Sequence, residues 1–356
     1  MRIGIVGAGA IGLGSAAWLT SRGHAVALWS PRGPWPHPLQ TQPLHACGVL
    51  ESTQPVDMVE DAGALCEAAE LVIVAVPLNG HRAVMDALAP KLSTRNTVLI
   101  SSMASLSALY LHEAVRRRGE DVTVAAFGTT ALTARREAAN RVRIMTRRVS
   151  LGVSALPAPR TDAMVALCTA LFGDGFYAHA HVLASALSNI NPAAHGPLAL
   201  FNWTRIERAE AWPQYHYMTP RVAAVIERLD AERRALGRAF GVELGSIEQH
   251  FANSFGSTAE RLADIAADLH AKRGGPPGPT DMATRFLAED VPYGLVFAEE
   301  LGRVACLNLP ATRTIVDVAE LITGQDLRAT NDLIAPLGLL QGGVAGLQAR
   351  VRLGVV

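Results

Sequence analysis

Residues 2–14 read RIGIVGAGAIGLG, a short apolar run that ends in Gly7, Gly9 and Gly12 and passes into SAAWLTSRG with helical spacing. Each glycine answers a separate steric need. Gly7 permits a tight turn, Gly9 lets the backbone approach a pyrophosphate, and Gly12 lets the helix pack on the strand while its N-terminus faces an anion. A Gly-x-Gly-x-x-Gly spacing alone is a weak signal. Between the first strand of the chain and a helix it predicts a dinucleotide site, with Ala10 and Ile11 opening the helix beside the phosphates.

The helix should stop at Gly23, and a second strand, HAVALWS, should run to about Ser30. An NAD-binding domain usually presents a carboxylate there to the adenosine ribose. This chain has Ser30, Pro31 and Arg32 instead. A hydroxyl and a guanidinium, with no acid to repel a ribose phosphate, favour NADP over NAD. A proline-rich loop follows, with His37 and His45 expected at the surface. Further strands are expected at GVLES (48–52), LVIVAVP (71–77), TVLISS (97–102) and VTVAAF (122–127), with one or two more in 142–153 and a helix over 162–172. Helical patterns between them predict a parallel, doubly wound sheet of the Rossmann type. Val76 and Pro77 then lie where the nicotinamide half of the cofactor would rest. Asn79 and His81 follow, as ribose contacts or as capping or surface residues.

With 356 residues, 49% of them hydrophobic, the chain can bury a large core and is expected to form two domains. The formal charge is zero, with 32 basic and 32 acidic residues intermixed, so no basic stripe suggests a nucleic acid partner. No apolar run suits a bilayer, and a strand beginning at Arg2 leaves no room for a signal peptide. A cytoplasmic enzyme is expected. Cys47, Cys66, Cys168 and Cys306 have neither zinc nor disulfide spacing and are read as reduced and structural. Only two lysines occur, Lys91 and Lys272.

Beyond about residue 181 the pattern is all helical, with apolar periodicity in 181–187, 198–206, 221–240, 247–255, 259–269, 293–306 and 311–322. These patterns predict domains at 1–183 and 184–356, the second all-α. Residues 189–202, NINPAAHGPLALFN, place Asn191 as a helix N-cap, Pro192 as the first helical residue, and His195 in the first turn or just past it. After a glycine- and proline-rich loop (273–281), ATRFLAEDVPYGL sets Arg285 and Asp290 five residues apart. An arginine can clamp a carboxylate and an aspartate can orient an imidazole, although most such helix charges are solvated ion pairs.

Taken together, the Asn-Pro followed by His195, the distant Arg285 and the sequence EDVPYGL resemble the octopine/nopaline, or opine, dehydrogenases. The resemblance spans nearly the whole chain, with Gly196 intervening before Pro197 as a departure and Arg135 or Arg136 loosely matching an arginine the family carries. It implies His195 as acid-base catalyst, completed by Arg285 and Asp290. The implied reaction condenses a 2-oxo acid with an amino acid or amine to an imine, which NADPH, or NADH, reduces. Two rivals are a hydroxyacid dehydrogenase and a non-catalytic NADP sensor. Ketopantoate reductases and 3-hydroxyacid dehydrogenases resemble the chain in fold but carry a lysine on an early helix of the second domain, where neither Lys91 nor Lys272 falls. Phe201, Trp203, Trp212, Tyr215, Tyr217 and Tyr293 are core residues by default that could line a substrate pocket. The apolar helices also allow a homodimer.

Overall fold

Ile3, Ile5 and Val6 are buried on both faces of their strand, the pattern of a central position in a sheet covered on both sides. The computed structural model, which describes residues 1–354, places that strand accordingly. In chain order the strands are β1 (Arg2–Val6), β2 (Ala25–Trp29), β3 (Leu44–Gly48), β4 (Ser52–Gln54), β5 (Asp57–Val59), β6 (Leu71–Val74), β7 (Thr97–Ile100), β8 (Thr123–Phe127), β9 (Leu132–Ala138), β10 (Arg141–Arg147), β11 (Leu151–Leu156) and β12 (Phe176–Ala178). Eight of them form one sheet in the order β12-β11-β8-β7-β6-β1-β2-β5.

The strands from β5 across to β8 run parallel, as expected, whereas β11 pairs antiparallel with β8. The connection from β8 to β11 explains the reversal. It is the β9–β10 hairpin rather than a crossover helix, so nothing carries the chain back to the starting edge. That hairpin also belongs to a second sheet, order β4-β3-β10-β9, which the sequence reading did not anticipate. Residues 48–52, expected as a strand, instead contain the turn between β3 and β4. Gly48 has φ +98°, and a Cβ there would stand 2.2 Å from the Ile144 carbonyl oxygen.

Helix Ala10–Ser21 joins the two sheets. Its Leu13, Ala16 and Ala17 share one apolar core with Ile3 and Ile5 of the first sheet and with Leu132, Val142 and Ile144 of the second. Gly14 permits the approach, since a Cβ there would already lie 3.2 Å from the Ala134 methyl.

The chain divides into residues 1–186 with 348–356, and residues 187–347. The expected boundary at 183/184 is thus displaced by three residues, and the C-terminal end groups with the first unit instead of the second. There the buried Arg350 guanidinium meets Glu113 at 2.8 Å. The second unit is helical: Asn191–Leu200, Trp203–Glu207, Pro220–Ala239, Ile247–Phe255, Leu262–Arg273, Arg285–Ala288, Phe297–Val304 and Pro310–Thr323 lie in it, with a π-helix at Val291–Val296. Residues 198–206, expected as one helix, break at Phe201 and Asn202, and 293–306 begins as π-helix before turning α. Asp230 and Arg233 pin this unit internally. The arginine donates to the Leu187 and Gly245 carbonyls, while the carboxylate accepts from the Ile247 N–H. No helix among the described residues is long and apolar enough to cross a membrane.

Candidate active site

The glycine loop of the first unit has the geometry a dinucleotide requires. Gly7 has φ +110°, and a Cβ on it would stand 2.6 Å from the Ala75 carbonyl oxygen. A Cβ on Gly12 would stand 1.8 Å from the Gly7 oxygen, so strand and helix approach too closely for any side chain. Gly9 differs, because nothing lies within 4 Å of its Cβ position. That opening faces the start of Ala10–Ser21, where Gly9 is the cap, no side chain caps the helix and Ala10 and Ile11 begin it. Uncapped N–H groups beside open space fit a pyrophosphate.

Around the loop, Gly7 N–H donates to the Trp29 carbonyl at 2.7 Å, tying it to the end of β2. Ser30 is half-buried there, and a Cβ on Gly33 would stand 2.3 Å from its Oγ. Arg32 is exposed, and its Nη2 lies 3.8 Å from the Cβ position of Gly80, beyond β6. Val76 is half-buried and Pro77 exposed in the same connection.

Two histidines depart from expectation. His81 is fully buried instead of facing ribose or solvent; its Nε2 bonds the Val76 carbonyl and its Nδ1 the Ser107 hydroxyl. Burial lowers its pKa to about 4, so it is neutral, with Nε2–H donating to Val76 and Nδ1 accepting from Ser107. His37 is also buried rather than at the surface. Its Nδ1 accepts from the Leu39 N–H and caps a short 3₁₀ turn.

In the second unit, His195 lies on Asn191–Leu200. The cap is Ile190, one residue earlier than expected, and the Asn189 side chain accepts from the Asn191 N–H at 3.0 Å. Pro192 sits in the first turn, where its missing donor costs nothing. The helix passes through Pro197 and closes with the Phe201 N–H on the Pro197 carbonyl.

Asp290 lies at the mouth of the π-helix, and π-turns re-aim side chains at functional sites. Its Oδ2 accepts from His195 Nδ1 at 2.7 Å, with the two side chains 5% and 12% exposed. The bond is possible because Gly294 lets the π-helix meet the helix of His195: a Cβ on Gly294 would stand 2.2 Å from Pro192 Cγ. Gly196 faces Leu295, Ile315 and Val291, with the nearest carbon 3.3 Å from its Cβ position. Any larger residue at Gly196 would press on the same contact.

Phe286, which the sequence reading passed over, lies flat on the imidazole, with centroids 3.8 Å apart and planes 2° apart. Its place beside Arg285 and four residues before Asp290 was the available signal, obscured because a phenylalanine on a helix is core by default. His195 is therefore fixed through Nδ1 and one ring face. Its Nε2 bonds no described residue. Arg285 starts the short helix Arg285–Ala288, is exposed and has no ion pair among the described residues, so it does not form the surface pair with Asp290 that spacing alone would suggest. Of the aromatic residues, Trp212 and Tyr293 are core, and Phe201 is 54% exposed.

Residues 178–323 match the model of the NAD/NADP octopine/nopaline dehydrogenase alpha-helical domain, and residues 3–156 match that of ketopantoate reductase PanE/ApbA. The opine dehydrogenase of Arthrobacter sp. (strain 1C) is 25% identical over 352 residues, covering 98% of each chain. An octopine dehydrogenase solved with NADH and agmatine superposes with a TM-score of 0.82 at 16% identity, covering 99% of this chain and 98% of that one. A yersinopine dehydrogenase solved with NADP⁺ gives 0.72 at 15% identity, over 99% and 98%.

Proposed function

We propose that the chain is an octopine/nopaline (opine) dehydrogenase, which joins a 2-oxo acid to the amino group of an amino acid or amine by NAD(P)H-dependent reductive condensation. The observation that carries the catalytic assignment is the buried His195–Asp290 pair with Phe286 stacked on the ring. In the condensation the amine adds to the carbonyl carbon, the carbonyl oxygen leaves as water and an imine remains. Bound NADPH supplies the hydride that reduces the imine carbon, giving a secondary amine and NADP⁺.

His195 acts through Nε2. That nitrogen donates a proton to the oxygen or imine nitrogen as negative charge develops, and takes it back in the reverse direction. Asp290 holds the proton on Nδ1, which fixes the tautomer and stabilises the imidazolium when it forms. Arg285, exposed and without an internal acid, holds a substrate carboxylate through its fork of N–H groups.

NADP is the preferred cofactor because the end of β2 presents Ser30 and no carboxylate, whereas the Arg32 guanidinium lies beside Gly80; Gly7, Gly9, Ala10, Ile11 and Gly12 serve the pyrophosphate, and Val76 and Pro77 lie toward the nicotinamide. The lysine chemistry of the hydroxyacid reductases has no counterpart in the helical unit. Its one lysine, Lys272, is more than half exposed and lies 2.7 Å from Asp268. Such an enzyme fits the cytoplasm, where NADPH is regenerated; its location and any dimer are read by fractionation and light scattering. The test is product analysis: incubation with NADPH, pyruvate and a panel of amines should yield a secondary amine with the mass of both substrates less one oxygen. Formation of lactate alone would overturn the proposal.

A further inference from the structure

The second sheet was not foreseen, and nothing in the reaction above uses it. Its strand β9 carries Arg136, whose Nη1 donates to the carbonyl of Ala8 at 3.2 Å, across 128 residues of chain. Ala8 stands between Gly7 and Gly9, so a guanidinium sits at the mouth of the cofactor loop. The neighbouring carboxylate does not neutralise it, because Glu137 is engaged by Arg141 and Arg143. Arg136 itself has no ion pair among the described residues. One carbonyl occupies one of its five N–H donors.

Other groups at this place lack partners too. His37 is only 4% exposed, and it feels the Arg136 charge. Since its Nδ1 accepts from the Leu39 N–H, the neutral ring carries its proton on Nε2, and that donor has no partner among the described residues. The adjacent ring carbon, Cδ2, lies 3.6 Å from the Cβ position of Gly33, itself against Ser30 Oγ. Ser30 and His37 therefore lie together at the end of β2, with the Arg136 guanidinium, held at Ala8, near enough for its charge to act on His37. The guanidinium of Arg32 is placed elsewhere, beside Gly80 on the far side of β1 in the sheet order.

We infer that Arg136, delivered by the second sheet, discriminates between cofactors, and that with Ser30 and His37 it forms an anion subsite for a phosphate on the adenosine ribose. A guanidinium tethered by one bond to a backbone carbonyl keeps a pair of parallel donors for a phosphate, and tethering removes part of the entropy cost of closing on it. The inference rests on the dinucleotide reading of the glycine loop and not on the reaction performed.

The experiment is direct binding, by calorimetry, of adenosine 2′,5′-bisphosphate and adenosine 5′-monophosphate to the full chain, as wild type, Arg136→Gln, Arg136→Lys and Arg32→Gln. Loss of a charge-assisted hydrogen bond to phosphate weakens binding by about 10- to 100-fold. The expected result is that loss for the bisphosphate in Arg136→Gln, partial recovery in Arg136→Lys, and a change of about twofold or less for the monophosphate. Retained monophosphate binding also shows that the variant is folded. Equal loss of both ligands would make Arg136 a structural pin and overturn the inference. So would no loss at all, or a discrimination lost only in Arg32→Gln. Because no turnover is needed, failure of the condensation reading would leave this result standing.

Discussion

His195 meets three requirements of a proton-transferring imidazole: one nitrogen held, one face packed and one nitrogen left available. Each can be removed separately. His195→Ala should lower kcat/KM by about 100- to 10,000-fold, the range for losing a general acid-base, while the dissociation constant for NADPH measured by fluorescence stays unchanged. Asp290→Asn keeps the shape but can offer its amide N–H to Nδ1, which drives the ring proton onto Nε2 and leaves the wrong tautomer for accepting a proton. A loss of about 100-fold or more in oxidation of the secondary amine is expected from steady-state rates. Phe286→Leu removes the face-on contact that holds the ring, and should cost about 3- to 30-fold in kcat with the dissociation constant for NADPH unchanged. An unchanged kcat would reduce Phe286 to a packing residue. At this scale little was legible from chemistry alone. Composition favours solvated roles for Arg285 and Asp290 and a structural one for His195, and it was the resemblance that joined residues 95 positions apart. Nothing in the sequence marks the stacking of Phe286.

Elements bring those residues together through positions that tolerate no side chain. Gly294→Ala would drive a methyl into Pro192, separating the π-helix from the helix of His195. The expected cost is about 1–3 kcal/mol of stability in a denaturation curve, as for other overpacked contacts, with a large loss of kcat and cofactor binding intact. Gly12→Ala should do the converse, abolishing cofactor binding while leaving the helical unit able to fold. The glycine loop was legible because its steric demands are local and fall within a dozen residues. The second sheet was not, since β3 and β10 pair in parallel across nearly a hundred residues and β9 exposes four consecutive positions, Arg135, Arg136, Glu137 and Ala138. The π-helix was equally hidden, because VPYGLV satisfies an α-helical period until its extra residue per turn is seen.

Across the whole molecule, three histidines set the acid limit of the fold. His81, His179 and His181 have pKa values lowered by burial from 6.5 to about 4. Folded, they stay neutral; unfolded, they protonate near 6.5. Their contribution is therefore complete above about pH 6.5 and is lost as pH falls toward 4. Urea midpoints should be level from pH 8 to 6.5 and then decline steeply to pH 4.5, and a flat profile over the lower range would contradict those burials. The central claim, that His195 serves a condensation and not a simple carbonyl reduction, has its own direct measurement. NADPH oxidation is followed with a 2-oxo acid, with and without amino acids and amines, for wild type and His195→Ala. The account predicts oxidation that requires the amine and falls by about 100-fold or more in the variant. Oxidation at the same rate without any amine would contradict it.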